Sequence, residues 1–164
     1  MINSFFSKVM AIVLAVPMIL MGCLIQPANA TMRLFTGQTV YVPVYSHIYS
    51  GDREQPFYLA ATLSIRNTDR KHAITITAVD YYDSEGKFLK HYLEKPLALG
   101  AMATRRYVVP ESDKSGGSGA KFIVAWQSDQ PVAEPLIESV MISTKTQQGI
   151  SFTSRGQVLE TISP

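Results

Sequence analysis

Short runs of alternating apolar and polar residues, broken by turn residues about every ten positions, constrain this chain more than any other feature. In "FYLAATLSIRN", Leu59, Ala61, Leu63 and Ile65 share one face, and Tyr58, Thr62, Ser64 and Arg66 share the other. Successive strand side chains point to opposite faces, so a period of two predicts a strand with one buried side. "NTDRK", residues 67–71, follows as a turn whose Asn and Asp side chains bond their own backbone. "HAITITAVDYY" alternates again through Ile74, Ile76 and Ala78, and its phase slips at Val79 and Asp80, which predicts a β-bulge. "DSEG" predicts a hairpin turn, with Gly86 where a positive φ is needed.

Further strands are expected in "TVYVPVY", "KFLKHYL", "AMATRRYVVP", "LIESVMIST" and "GISFTS". Pro43 lacks an N–H and consigns the first of these to an edge or a strand end. "AKFIVAW" is apolar on both faces and predicts a central strand, with Trp126 in the core. "MRLFTGQ" and "VLETISP" read as frayed or edge segments. No segment after the first 30 positions carries a convincing helical stripe. About seven or eight short strands with regular turn signals predict an all-β fold, a single antiparallel β-sandwich of Ig-like or fibronectin-like kind. No Cys…Trp…Cys spacing is present, so it is not an antibody-type domain.

Residues 1–30 differ from the rest. Lys8 precedes an apolar run from Val9 to Ile25, interrupted by Pro17, and "QPANA" ends at Ala30. A basic start, an apolar middle and small residues before a cleavage point predict a secretory signal peptide, leaving residues 31–164 as the domain. The alternative is a lipoprotein signal over 1–22, with "LMGC" as a lipobox and Cys23 acylated. Cleavage after Ala30 fits its rule better, because Met21 is bulky for a lipobox. The expected address is periplasmic or secreted. Contact with a membrane is expected only through the signal peptide or the lipid on Cys23.

Cys23 is the single cysteine, so cleavage at Ala30 leaves a domain without a thiol. Intramolecular disulfides, cysteine-based zinc sites and cysteine nucleophiles are then excluded, and stability must come from an apolar core. Beyond Lys8 the chain carries 14 Lys and Arg against 13 Asp and Glu, for a formal charge of +1. These charges are mixed along the chain, so there is no electrostatic footprint for nucleic acid or an anionic membrane.

"SDKSGGSGAKFIVAW" is the stretch most like a motif. A phosphate loop needs two glycines four residues apart, then Lys and Ser or Thr opening a helix. Here Gly116, Gly117 and Gly119 precede Lys121 and an expected strand, so a polar turn is the better reading. His47, His72 and His91 show no metal-ligand spacing, and no G-x-S-x-G elbow holds a serine nucleophile. Asp80, Asp83 and Glu85 lack a calcium-loop pattern. No metal or other cofactor is expected. In "VYVPVYSHIYSGD", Tyr41 and Tyr45 fall on one strand face with Tyr49 beyond. Such a row either stacks a sugar or peptide or covers the edge of a core.

"VYVPVYSHIY", "TLSIRNTD", "VDYYDSEGK" and "GGSGAKFIVAWQS" together resemble an uncharacterised family of exported bacterial proteins, domain of unknown function 3124. The resemblance runs from about Gly37 to Glu160. It implies a bacterial origin and an envelope or secreted address, and brings no activity or catalytic residue.

The expected function is a non-catalytic binding or scaffolding module of the cell envelope, with an envelope protein or glycan as partner. Its candidate contact surfaces are Tyr41, Tyr45 and Tyr49, and the loop of Asp113, Ser115, Gly116, Gly117 and Gly119, because loops on rigid scaffolds commonly carry binding. One alternative is a hydrolase or metal-dependent enzyme built on His47, Asp80 and His91, which then have to converge in one cleft. Another is a structural subunit whose edge strand around Pro43 joins a partner's sheet.

Overall fold

A computed structural model of the chain describes residues 33–143 and 149–162; the signal-peptide segment and Cys23 lie outside them. The regular structure described is all strand: β1 (Leu34–Val44), β2 (His47–Ser50), β3 (Gln55–Tyr58), β4 (Ala60–Arg66), β5 (Ile74–Tyr82), β6 (Phe88–His91), β7 (Leu97–Leu99), β8 (Thr104–Val109), β9 (Ala120–Ala133), β10 (Leu136–Ser143), β11 (Ile150–Arg155) and β12 (Gln157–Ile162). Among the described residues no helix is long and apolar enough to cross a membrane.

The strands pair antiparallel throughout. One sheet has the order β12-β1-β9-β5-β6, with β7 also on β5; a second has the order β11-β10-β4-β8; β2 and β3 form a separate hairpin. β9 is central, as its two apolar faces predict, and its inward residues set the register of the larger sheet. Phe122 lies between Val42 and Tyr81, Val124 between Val40 and Val79, and Trp126 between Gln38 and Ile76. The four inward residues of the 59–65 alternation, Leu59, Ala61, Leu63 and Ile65, join the same buried cluster, together with Ile137 and Met141 of β10. Burying a Leu or Phe side chain contributes roughly 1.5–3 kcal/mol. A core drawn from both sheets therefore carries the cohesion that disulfides supply elsewhere.

Three expectations change in detail. The bulge in β5 lies between Ile76 and Ala78, where the register against β9 shifts, and not at Val79–Asp80. The extra residue there turns Val79 and Tyr81 inward, both at most 1% exposed, and leaves Ala78 half-buried. The 57–67 run is two strands, because Leu59 breaks from β3 to donate its N–H to the Ser46 carbonyl at 3.0 Å. The first strand starts at Leu34, and its Pro43 sits one residue before the strand's end.

The "NTD" turn works as its side chains predict. Buried Asn67 donates through Nδ2 to the carbonyls of His72 (2.9 Å) and Gly100 (2.9 Å) and accepts the Asp69 N–H at 3.0 Å. Asp69 Oδ1 accepts the N–H groups of Lys71 at 2.8 Å and His72 at 2.9 Å, while Oδ2 takes that of Ala133 at 3.3 Å. Those donors, Lys71 first, hold the Asp69 carboxyl well below the usual range, at about 2.

One residue lets a single stretch of chain edge both sheets. β11 borders β10 in the smaller sheet, and β12 borders β1 in the larger. Between them Gly156 donates its N–H to the Ile137 carbonyl at 2.9 Å. A Cβ at this position would lie 2.6 Å from Val40 Cγ1 and 3.0 Å from the Ile137 carbonyl oxygen. The first contact can relax, but the second is backbone. Gly156→Ala is therefore expected to destabilise the domain by about 1–3 kcal/mol, as overpacking does. Gly100→Ala, where a Cβ meets nothing within 4 Å, serves as the control. Equal unfolding midpoints for the two variants in denaturant would refute this role.

Candidate functional site

The glycine loop is a clasp. Asp113 Oδ1 accepts the N–H of Ser115 at 3.0 Å and its hydroxyl at 2.6 Å, which closes a tight side-chain turn. The Gly116 carbonyl then accepts the Ser84 N–H at 3.0 Å and the Ser84 hydroxyl at 3.1 Å. The Gly119 N–H donates back to Ser84 Oγ at 2.9 Å, and the Gly117 carbonyl accepts the Ser46 N–H at 2.9 Å. Three loops are thus tied at one end of the domain: the exit of β1, the β5–β6 hairpin turn and the entry to β9. Phosphate cradles aim backbone N–H groups at the anion. Here the N–H groups of Ser115 and Gly119 are already bonded within the protein, and the loop leads into the strand β9 and not into a helix.

Gly116 is required by what lies beneath it and Gly117 by its backbone conformation. A Cβ on Gly116 would come 2.0 Å from the Tyr81 hydroxyl and 2.7 Å from Ala120 Cβ, and Gly117 has φ 77°. Tyr81 is buried, with its hydroxyl 3.2 Å from Ser46 Oγ, and burial pushes its pKa up. Its ring packs on Phe122 (centroids 4.9 Å apart) and Tyr92 (6.0 Å). Burial also lifts Tyr92, to about 12, so both phenols stay neutral near neutral pH.

Beside the clasp stands the β2–β3 hairpin. The His47 ring lies edge-on to Tyr49 (5.1 Å) and Tyr58 (5.9 Å), and Lys114 of the glycine loop holds its ammonium 4.1 Å from the Tyr58 ring centre. A cation within about 6 Å of a ring face is attracted by the ring's quadrupole, so Lys114 links loop and hairpin. Tyr49 is 56% exposed, and His47 Nδ1 is buried without a hydrogen-bond partner among the described residues. The result is a surface of aromatic faces with an imidazole and an ammonium between them. His47 as part of an aromatic group and Tyr58 are candidate residues that sequence reasoning missed, whereas Lys114 lies within the loop 113–119 that it singled out. The signal was present in the turn residues of "YSGDRE", which fold two short strands onto each other.

Tyr41 and Tyr45 are both half-buried. Tyr41 lies opposite Ile123 on β9, and half-buried Tyr45 packs edge-on to Phe152 (5.6 Å) and against the core. Only Tyr49 reaches the hairpin surface, because the chain leaves β1 at Val44 and pivots on buried Ser46. Asp80 and His91 meet, with Oδ1 and Nδ1 2.7 Å apart across the β5–β6 pair. His91 is largely exposed there, while His47 sits among the hairpin tyrosines. Asp83 Oδ1 accepts the backbone N–H groups of Glu85 (3.0 Å) and Lys87 (2.8 Å), so it caps the hairpin turn. No group of three or more His, Cys, Asp or Glu that could hold a metal occurs among the described residues. Around Pro43 the strand is lined on one side by β9, and the Pro43 carbonyl accepts the Ser139 hydroxyl of β10. The strands that pair on one side only include β8 and β12.

A family model described as "Protein of unknown function (DUF3124)" matches residues 37–159. Among solved structures, the chain is similar to one titled "Crystal Structure of Thermotoga maritima 1070", with 11% identity and a TM-score of 0.41, over 73% of this chain and 92% of that one. No curated protein matches.

The clasp is testable through its tightest contact. Gly116→Ala is expected to lower stability by about 1–3 kcal/mol, because the new methyl must displace the Tyr81 hydroxyl from Ser46. Adding Tyr81→Phe removes the closest contact atom, so the double variant should recover part of that loss in denaturant unfolding. Strictly additive losses would show that Gly116 and Tyr81 are not coupled.

Proposed function

Since the chain belongs to the family described as a protein of unknown function (DUF3124), which brings no activity with it, we propose from its own geometry that it is a non-catalytic binding module of the cell envelope. It is exported by its N-terminal segment, folds as an Ig-like β-sandwich and meets an envelope glycan or protein with one loop end. One observation carries this reading: the clasped glycine loop places Lys114 against Tyr58, beside His47 and exposed Tyr49. Aromatic faces and an ammonium on a rigid base suit a partner with apolar patches between hydroxyl or carboxylate groups, as sugars in envelope glycans have. Asp113, Ser115 and the glycines support that surface from below. Tyr41 and Tyr45 lie outside it.

Binding is tested by co-sedimentation with purified cell-wall glycan and by affinity capture from solubilised envelope. Tyr49→Ala should leave the unfolding midpoint unchanged, because the side chain is mostly exposed. It should weaken retention about two- to tenfold, the range expected for about 0.5–1.5 kcal/mol of ring contact. Undiminished retention on both supports in the Tyr49→Ala, Lys114→Ala double variant would remove this surface from consideration. Export is tested by the mass of the mature N-terminus, expected to begin at Thr31. An acylated Cys23 would assign the lipoprotein route instead, and an uncleaved chain would overturn cleavage.

A further inference from the structure

A cavity lies away from the glycine loop, beside the corner at Gly156. β9 begins at the glycine loop with Ala120 and ends at Ala133, and the connection from there to β10 borders a cavity of about 390 Å³. Val40, Leu136 and Ile137 supply its apolar lining, and Thr68, Glu134 and Arg155 its polar lining. This volume is in the lower part of the range for small-molecule pockets.

The charges on this cavity are not used up by the fold. Arg155 stands opposite Glu138 in the β10–β11 register, which ordinarily makes an ion pair across a sheet. Glu138 is instead held by Arg66, at 3.3 Å, and Arg66 is steadied by Ser64 at 3.1 Å. Arg155 is left without an acidic partner among the described residues. Glu134 is positioned from two sides. The Thr68 hydroxyl donates to its carbonyl at 2.7 Å, and buried Gln38 reaches one carboxylate oxygen through Nε2 at 3.4 Å. The other carboxylate oxygen makes no described contact. An exposed guanidinium and an exposed carboxylate, not paired with each other, thus line one cavity beside half-buried Leu136.

We propose that this corner binds a small zwitterion, a free amino acid or a short peptide. Its carboxylate takes the two-pronged guanidinium of Arg155, its ammonium faces Glu134, and its side chain lies against half-buried Leu136. Arginine suits the first role because its fork matches a carboxylate in two parallel hydrogen bonds. The site goes beyond the envelope-binding surface and does not depend on it.

The test is a titration of the full domain with L-alanyl-L-alanine, followed by amide NMR. Saturable shifts at Gly156 and its β11–β12 neighbours are expected. Arg155→Gln should weaken binding at least tenfold, and Glu134→Gln several-fold, with the amide dispersion of a folded protein retained in both. N-acetylation of the dipeptide should make binding insensitive to Glu134→Gln while keeping its dependence on Arg155. Tyr49→Ala should leave the titration unchanged, which separates this site from the hairpin surface. Absence of shifts at millimolar dipeptide, shifts confined to the β2–β3 hairpin, or equal affinity in Arg155→Gln would each overturn the proposal.

Discussion

The close approach at Gly156 is the constraint on which the rest of the molecule depends. Backbone there lies against Val40 and bonds to Ile137, so the chain passes from the smaller sheet to the larger without a loop. A loop would have to satisfy its own polar groups or expose them to water. The direct crossing keeps the ladder of hydrogen bonds almost continuous along β11 and β12. It also joins the two sheets along one side, where no covalent link is available. A domain whose only cysteine precedes its first strand has to obtain such closure from backbone geometry. The cost is that one position admits no side chain.

The glycine loop applies the same economy at its own end. Its residues have the composition of a ligand loop, yet the Gly116 and Gly117 carbonyls and the Gly119 N–H are directed to Ser84 and Ser46, and the Ser115 N–H to Asp113. Those bonds tie the loop to its neighbours and make a stiff platform. Stiffness is useful to a surface side chain, because an ordered Lys114 or Tyr49 loses less conformational freedom when it meets a partner. The loop therefore contributes to binding, on the reading advanced above, through what it positions.

The sequence made the strands legible where one rule governed. Alternation located the buried face of residues 59–65, and apolarity on both faces identified Phe122 to Trp126 as central. It was less informative where two rules competed. In β5 the run of threonine and alanine around Thr77 has no strong side preference, so the position of the bulge could not be read from hydropathy. At Gly156, "SRGQ" has the composition of an ordinary turn, and only the distances to Val40 and Ile137 reveal a crossing. Periodicity is informative within a strand, but Ser46 is a pivot, so the place of Tyr49 in β2 beside His47 could not be counted from Tyr41 and Tyr45. Lys114 on Tyr58 spans more than fifty residues of sequence, beyond any local pattern.

The same reasoning separates charges that serve the fold from charges that do not. Asp69 and Asp83 are spent on backbone N–H groups, and Arg66 and Glu138 on each other. Exposed pairs of the last kind contribute only about 0–1 kcal/mol, so their effect is less on stability than on which groups remain unpaired. Because Glu138 turns to Arg66, its strand neighbour Arg155 lines the cavity without an ion-pair partner among the described residues, although Glu134 lines the same cavity. A charge left over beside a shaped and partly apolar space is a different matter from a charge left over on an open surface. The first has a limited set of partners, fixed by volume and sign, and the second has only water.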